Sequence, residues 1–221
     1  MVVIDACIQA GVKRYIPCNW SSMSADPKAV ELAAYGPMIQ TQEYLEQKAR
    51  AGEITFTSFC NGAFFDMIFT APFVINWENH SVRLYDKGVH PFSTTRLTTI
   101  SKAVAGALNT PEVTKNKVLF IHDIIITQAK LLSLVKKHSP PGLQWTEVAV
   151  DAEAELRNAS KSIQERGVDW ENTVAQLTAG LFGGKYDAAY QSVDNELLGL
   201  GYFAEDELEA KVIEKLRTRE E

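Results

Sequence analysis

The feature that most constrains this chain is an opening helix that runs directly into a strand. Residues 2–11 (VVIDACIQAG) space apolar side chains at helical intervals, and Gly11 stands where a helix ends on a left-handed residue. KRYIP at 13–17 then reads as a short strand closed by Pro17. A helix that delivers the chain into a strand is the second half of a βαβ crossover, and such crossovers build parallel sheets. A second unit follows at once. The pattern over 37–50 (PMIQTQEYLEQKAR) is helical, with Pro37 in its first turn and Gly52 beyond its end, and ITFTSF at 54–59 is a second parallel strand. No strand precedes the opening helix, so the sheet is read as incomplete, with its first strands missing.

From about residue 66 the rhythm changes. Residues 66–78 (DMIFTAPFVINWE) suggest a short helix and a loop, SVRLYD (81–86) a strand, and Asp86-Lys87-Gly88 its turn. A helix is expected over 99–108 with Thr98 or Thr99 as its cap. KVLFIH (117–122) is a buried strand, and Thr127 caps a helix over 128–138. LQWTEVAV (143–150) alternates like a half-exposed strand, Asp151 opens a helix to about 166, and helices follow near 169–182 and 205–218. The expected class is α/β, a Rossmann-type doubly wound parallel sheet with a small α+β lobe. Residues 1–65 would form the carboxyl-terminal part of the nucleotide-binding domain and 66–221 the substrate lobe. Strand 117–122 is a candidate to return to the first unit.

A net charge of −6 argues against a nucleic-acid partner, which requires a basic face. No apolar run approaches the ~18 residues of a membrane span, and no secretory leader pattern opens the sequence. The three cysteines, Cys7, Cys18 and Cys60, have no metal or redox spacing and lie in or beside apolar runs. A cytoplasmic protein with reduced thiols is expected. His80, His90, His122 and His138 never pair at metal-binding intervals, and no GxSxG elbow exists, so neither a metal centre nor a hydrolase has support.

AGVKRYIPCNWSS (10–22) resembles the AGVKRF-[IL]-PSEFG signature of the isoflavone reductases, the phenylcoumaran benzylic ether reductases and their fungal NmrA-like relatives. The resemblance continues through the Tyr44-Leu45-Glu46 helix, ITFTSFCNGAFFD (54–66), TTISKAVAGAL (98–108), TPEVTKNKVLFIHDIIITQAKLL (110–132) and DNELLGLGYF (194–203). What it implies is a Rossmann domain binding NADP or NAD, and hydride transfer to an aromatic or quinone-like small molecule. By the same resemblance Pro17, Cys18, Asn19 and Trp20, with Asn61, Gly62 and Phe64, line the nicotinamide side of the cleft.

Two departures stand against that expectation. The family's glycine-rich G-x-x-G-x-x-G turn has no counterpart here, since Gly180 to Gly184 and Gly199 to Gly201 do not follow a strand and open a helix. Backbone N–H groups of such a turn grip the cofactor diphosphate, so binding should be impaired. The family's catalytic lysine aligns with Met38, and no lysine occurs between Lys28 and Lys48. A thioether can neither donate a proton nor orient a ribose hydroxyl.

Tyr35 is a conceivable proton donor, though a packed or surface tyrosine is the simpler reading. Asn19 and Trp20 read equally well as a turn asparagine and a packed tryptophan. Asn61, Gly62 and Phe64 could equally form a plain strand-exit bend. The run Phe64, Phe65, Phe69, Phe73 and Trp77 is better core than pocket floor. A non-catalytic ligand-sensing or protein-interaction module is the alternative function. Self-association through the open edge of strand 13–17 is a further expectation.

Overall fold

The computed structural model describes residues 1–218. Helix α1 (Val2–Gln9) buries Ile4 and ends at Gly11, whose φ of +71° a side chain would resist. Strand β1 (Arg14–Tyr15) follows, shorter than the expected 13–17 because Pro17 and the turn after it leave the ladder early. A short 3₁₀ turn at Pro27–Glu31 precedes α2 (Gly36–Arg50), and α2 leads into β2 (Thr55–Cys60). Next come β3 (Ala63–Phe64), α3 (Met67–Thr70), β4 (Ser81–Tyr85) and β5 (Phe92–Thr95). Helices α4 (Leu97–Asn109) and α5 (Pro111–Thr114) lead to β6 (Lys117–Phe120), β7 (Ile124–Ile126) and α6 (Gln128–His138). The chain closes with β8 (Thr146–Val150), α7 (Ala152–Arg166), α8 (Trp170–Phe182) and α9 (Glu205–Arg217).

The two opening strands are parallel neighbours, with Arg14 opposite Thr55. β6 returns to the same sheet, parallel to β2 with Thr57 opposite Lys117, so the order is β1-β2-β6. This is the Rossmann-type α/β arrangement expected of the sequence. β4 pairs in parallel with β8 in a separate two-stranded sheet.

A third sheet, β3-β5-β7, is absent from the sequence reading. Its central strand, Phe-Ser-Thr-Thr, is wholly buried, and its small hydroxylated residues resemble a turn on paper. They tolerate burial because their hydroxyls find partners, as Thr94 Oγ1 does on the Ile124 carbonyl at 3.0 Å.

The cap of α4 is also corrected. Arg96 is the capping position and makes no side-chain cap, while Thr99 lies inside the helix. Thr99 Oγ1 instead donates to the Asp123 carboxylate at 2.9 Å. That carboxylate is fully buried and also accepts from Arg96, at 2.7 Å from both its guanidinium and its backbone N–H. Thr127 and Asp151 do cap α6 and α7, through the amides of Lys130 and Ala154.

The largest apolar cluster runs from Met23, Leu32 and Tyr35 through Phe65, Phe92 and Phe182 to Leu216, so packing is continuous across residue 65. Phe59, Ile100, Leu119 and Leu198 form a second cluster behind the sheet, and Ile4, Leu45, Ile54 and Phe56 join α1 and α2 to it. Among the described residues no helix is long and apolar enough to cross a membrane.

Candidate functional site

In an open parallel sheet the strands' carboxyl ends face the same way, and ligands collect in the crevice outside them. Here those ends are the loop 16–24 after β1, the bend 60–62 after β2, and residues 121–123 after β6.

The loop after β1 carries Pro17, which is buried, and Cys18, which is exposed. Asn19 is buried, and its Nδ2 donates to the Met38 carbonyl at 3.4 Å, tying the loop to the first turn of α2. Trp20 stacks on Phe59, with ring centroids 5.2 Å apart and planes 19° from parallel. That places its ring against the second apolar cluster, as a packed tryptophan.

At the end of β2, Asn61 is fully buried. Its Nδ2 donates to the Gly62 carbonyl at 3.0 Å, while its Oδ1 has no hydrogen-bond partner. A buried polar atom left without a partner costs about 1–3 kcal/mol, so this acceptor favours any donor that can reach it. Gly62 has φ +66°, and a Cβ there would stand 2.2 Å from the Ser93 carbonyl oxygen. The glycine is therefore needed for close approach of β5. Phe64 lies in β3 opposite Thr95 and packs on the second cluster.

Tyr35 and Met38 sit at the start of α2. Tyr35 is 5% exposed, and burial pushes its phenol above the ordinary range despite the Ser22 and Met23 groups around it. A phenol so placed is part of the core, in line with the simpler reading of a packed tyrosine. Met38 is half-buried against the same core, and its main chain, through the bond from Asn19, is what meets the loop. The lysine within α2, Lys48, lies at the far end of the helix and pairs with Glu53 at 2.9 Å.

The residue that joins these segments is one the sequence reading missed. Tyr190 is buried, and its hydroxyl accepts the Gly62 N–H at 3.2 Å and donates to the Ser22 carbonyl at 2.6 Å. Burial, with Cys60 nearby, holds its pKa well above the ordinary 10. Its own N–H donates to Ser93 Oγ at 3.0 Å, and Ser93 Oγ lies 3.1 Å from His122 Nδ1.

Tyr190 belongs to a strap, residues 185–195, laid across all the strand ends. Lys185 Nζ reaches Glu31 at 2.6 Å, the Asp187 N–H reaches Asp26 at 3.0 Å, and Asp194 and Phe120 exchange two bonds at 2.7 and 2.8 Å. Asn195 Nδ2 holds the His122 carbonyl at 2.8 Å. DAAYQS carries no periodic signal, so only contact across 168 positions reveals this role.

Beside Asn19 lies a cleft of 360 Å³ between α2, β2 and β6. Ile39, Val118 and Phe120 line it with carbon, and Ser58 donates to Gln42 at 2.5 Å, which in turn donates to Glu46 at 3.0 Å. Cys60 also faces it, but burial pushes that thiol up to about 11, so it stays protonated and is no nucleophile at neutral pH. Asp26, Glu43 and Glu46 make its charged rim acidic. The size suits a flat ring, and the charge is wrong for a phosphate. The residues present thus fit the nicotinamide end of a dinucleotide, while the open acceptor of Asn61 lies buried behind the cleft and outside its lining. They do not fit the diphosphate. Among the described residues no group of three or more histidine, cysteine or acidic side chains is placed to hold a metal ion.

No model of a known protein family matches the sequence. Individual proteins do. Oxidoreductase aprR of Aspergillus flavus is 27% identical over 216 residues, covering 96% of this chain and 71% of that protein. Oxidoreductase poxI of Penicillium oxalicum is 26% identical over 221 residues, covering 97% and 70%. Among solved structures, the leucoanthocyanidin reductase of Vitis vinifera in its binary complex with NADPH superposes with a TM-score of 0.69 at 18% identity, over 97% of this chain and 70% of that one. The NADPH-dependent quinone oxidoreductase of Escherichia coli gives 0.64 at 18% identity, over 95% and 71%. Both share the fold laid out above, and the sequence relatives span nearly the whole chain. In sequence this chain is similar to fungal oxidoreductases, and its fold is that of the NADPH-dependent reductases.

Proposed function

We propose that the chain is an NAD(P)H-dependent oxidoreductase of this type whose described residues supply the nicotinamide and substrate side of the cleft, and that it acts on an aromatic or quinone-like small molecule. One observation carries the reading. The loop 17–22 and the bend 60–62 converge at the carboxyl ends of β1 and β2 and are held there by the Tyr190 hydroxyl. The cleft beside Asn19, lined with carbon by Ile39, Val118 and Phe120, supports it, as do relatives named as oxidoreductases.

The same residues argue for impaired cofactor binding. They offer no glycine-rich turn for the diphosphate, and the cleft's charged groups are carboxylates. The expected NADPH dissociation constant is no tighter than ~1 mM, about −4 kcal/mol. Fluorescence titration of the protein with NADPH measures it, and micromolar binding would overturn the impairment.

Met38 favours the second reading, a non-catalytic ligand-sensing or protein-interaction module, because the family's ammonium group is replaced by an apolar side chain packed on the core. The two separate by turnover. NADPH oxidation with a quinone acceptor, raised in Met38→Lys, supports an enzyme. Thermal stabilisation by the quinone with no NADPH oxidation in either protein supports a sensor.

A further inference from the structure

A second groove lies between β4, the loop 72–76, Glu155 of α7 and α8, and encloses 480 Å³. α8 runs from this groove to Phe182, just before the strap. The groove follows α8 from Trp170 to Thr178, and none of its lining residues lines the cleft beside Asn19, so the two sites are distinct.

Trp170 lines this groove and is 83% exposed. Tryptophan is among the side chains least often left in water, and exposed ones concentrate where something docks. This one is not on a fraying end. Asp169 and Asn172 exchange reciprocal capping bonds at 2.8 and 3.0 Å, and Asn172 Nδ2 holds the Gly167 carbonyl at 2.9 Å. The helix start beneath the indole is therefore fixed.

Phe73, Val74 and Val174 supply apolar lining, and Tyr85 adds a ring whose hydroxyl is already paired with Thr178 at 2.9 Å. The charges select among flat ligands. Arg83 is neutralised by Glu155 at 2.8 Å, and its guanidinium carbon lies 5.6 Å from the Tyr85 ring centroid, which shows a cation seated near an aromatic face in this groove. Glu171, exposed beside Trp170, adds a negative charge, so the groove carries a net negative lining.

We propose that this groove is a second small-molecule site, which takes a planar aromatic cation stacked on Trp170 with its charge toward Glu171, the carboxylate that Arg83 does not neutralise. The volume lies within the range of small-ligand sites. An aromatic anion would meet like charge, whereas a cation gains both carboxylate attraction and cation–π contact.

The test uses proflavine as a planar cation and 2-naphthoate as a planar anion, read by tryptophan fluorescence and calorimetry on the intact protein. Saturable micromolar binding of proflavine is expected, with 2-naphthoate at least tenfold weaker. Trp170→Ala should weaken proflavine at least tenfold, Trp170→Phe should restore most of it, and Glu171→Lys should weaken it about threefold or more. Both positions are exposed, so these variants should fold, and circular dichroism verifies it. Binding unchanged in Trp170→Ala, preference for the anion, or no saturable binding of proflavine would each overturn the proposal. So would a concentration-dependent blue shift of Trp170 without proflavine binding, which would mark the face as a protein interface instead.

Discussion

The Tyr190→Phe substitution isolates the joint on which the candidate site depends. It removes one oxygen and keeps the ring, whose edge-on contact with Phe120 at 5.0 Å between centroids can persist. Three buried contacts disappear with that oxygen: the Gly62 N–H at 3.2 Å, and the hydroxyl proton shared between the Ser22 carbonyl at 2.6 Å and, more weakly, the Ser21 carbonyl at 3.3 Å. Each stranded backbone group costs about 1–3 kcal/mol, and the longer Gly62 bond belongs at the low end, so the total should be about 2–4 kcal/mol. For a chain of this size each kcal/mol lowers Tm by about 2–4 °C, which predicts a fall of roughly 5–15 °C. Calorimetry gives Tm, and urea denaturation should show a lower midpoint with an unchanged slope. Because burial holds the phenol protonated, the deficit should be constant from about pH 6 to pH 9. A Tm loss under about 2 °C would refute the claim that this hydroxyl fastens the loop to the β2 exit.

Further outcomes follow from other contacts. Gly62→Ala drives a Cβ to 2.2 Å from the Ser93 carbonyl oxygen at φ +66°, and should cost about 3 kcal/mol or more by denaturation, far beyond an exposed glycine such as Gly142. His122 has its pKa lowered below the ordinary 6.5 by burial, against an opposing effect of Asp123. The unfolded chain therefore binds that proton first, and the stability this group contributes is present above about pH 6.5 and lost as pH falls below it. His122→Gln should flatten the loss measured between about pH 7.5 and pH 5.5; an identical slope in both proteins would clear His122 of the role. Val2 and Val3 are 83% and 62% exposed on α1, and β1 pairs on one side alone among the described residues. Self-association should therefore grow with concentration in light scattering and vanish in Val2→Glu/Val3→Glu. A monomer at all concentrations would count against it.

The parallel sheet was legible because helix and strand patterns alternate cleanly up to Phe59, and because KVLFIH is too apolar to lie anywhere but inside. Position along the chain was enough to send Asn19 and Asn61 to adjacent strand ends. What it could not reveal was their surroundings. Trp20 is packed because Phe59 faces it, Tyr35 is buried because the core closes over it, and Gly62 is crowded by Ser93. Each of those partners lies on an element whose placement no local pattern fixes. The buried hydroxyl-rich strand at Phe92–Thr95 was missed for a related reason, since its polarity is satisfied only by tertiary partners.

The strap has a consequence for how the molecule comes into being. Ser22 meets Tyr190 only after 168 further residues have been made. At about 5–20 residues per second a ribosome needs on the order of ten seconds or more for that stretch. Through that interval the loop after β1 has no fastening from Tyr190, and the hydrophobic floor at Phe120 lacks its tyrosine neighbour. The nascent chain therefore passes through a stage in which its sheet can pair while its crevice stays unshaped, and a ribosome stalled before residue 190 should hold a protein with strands but no site.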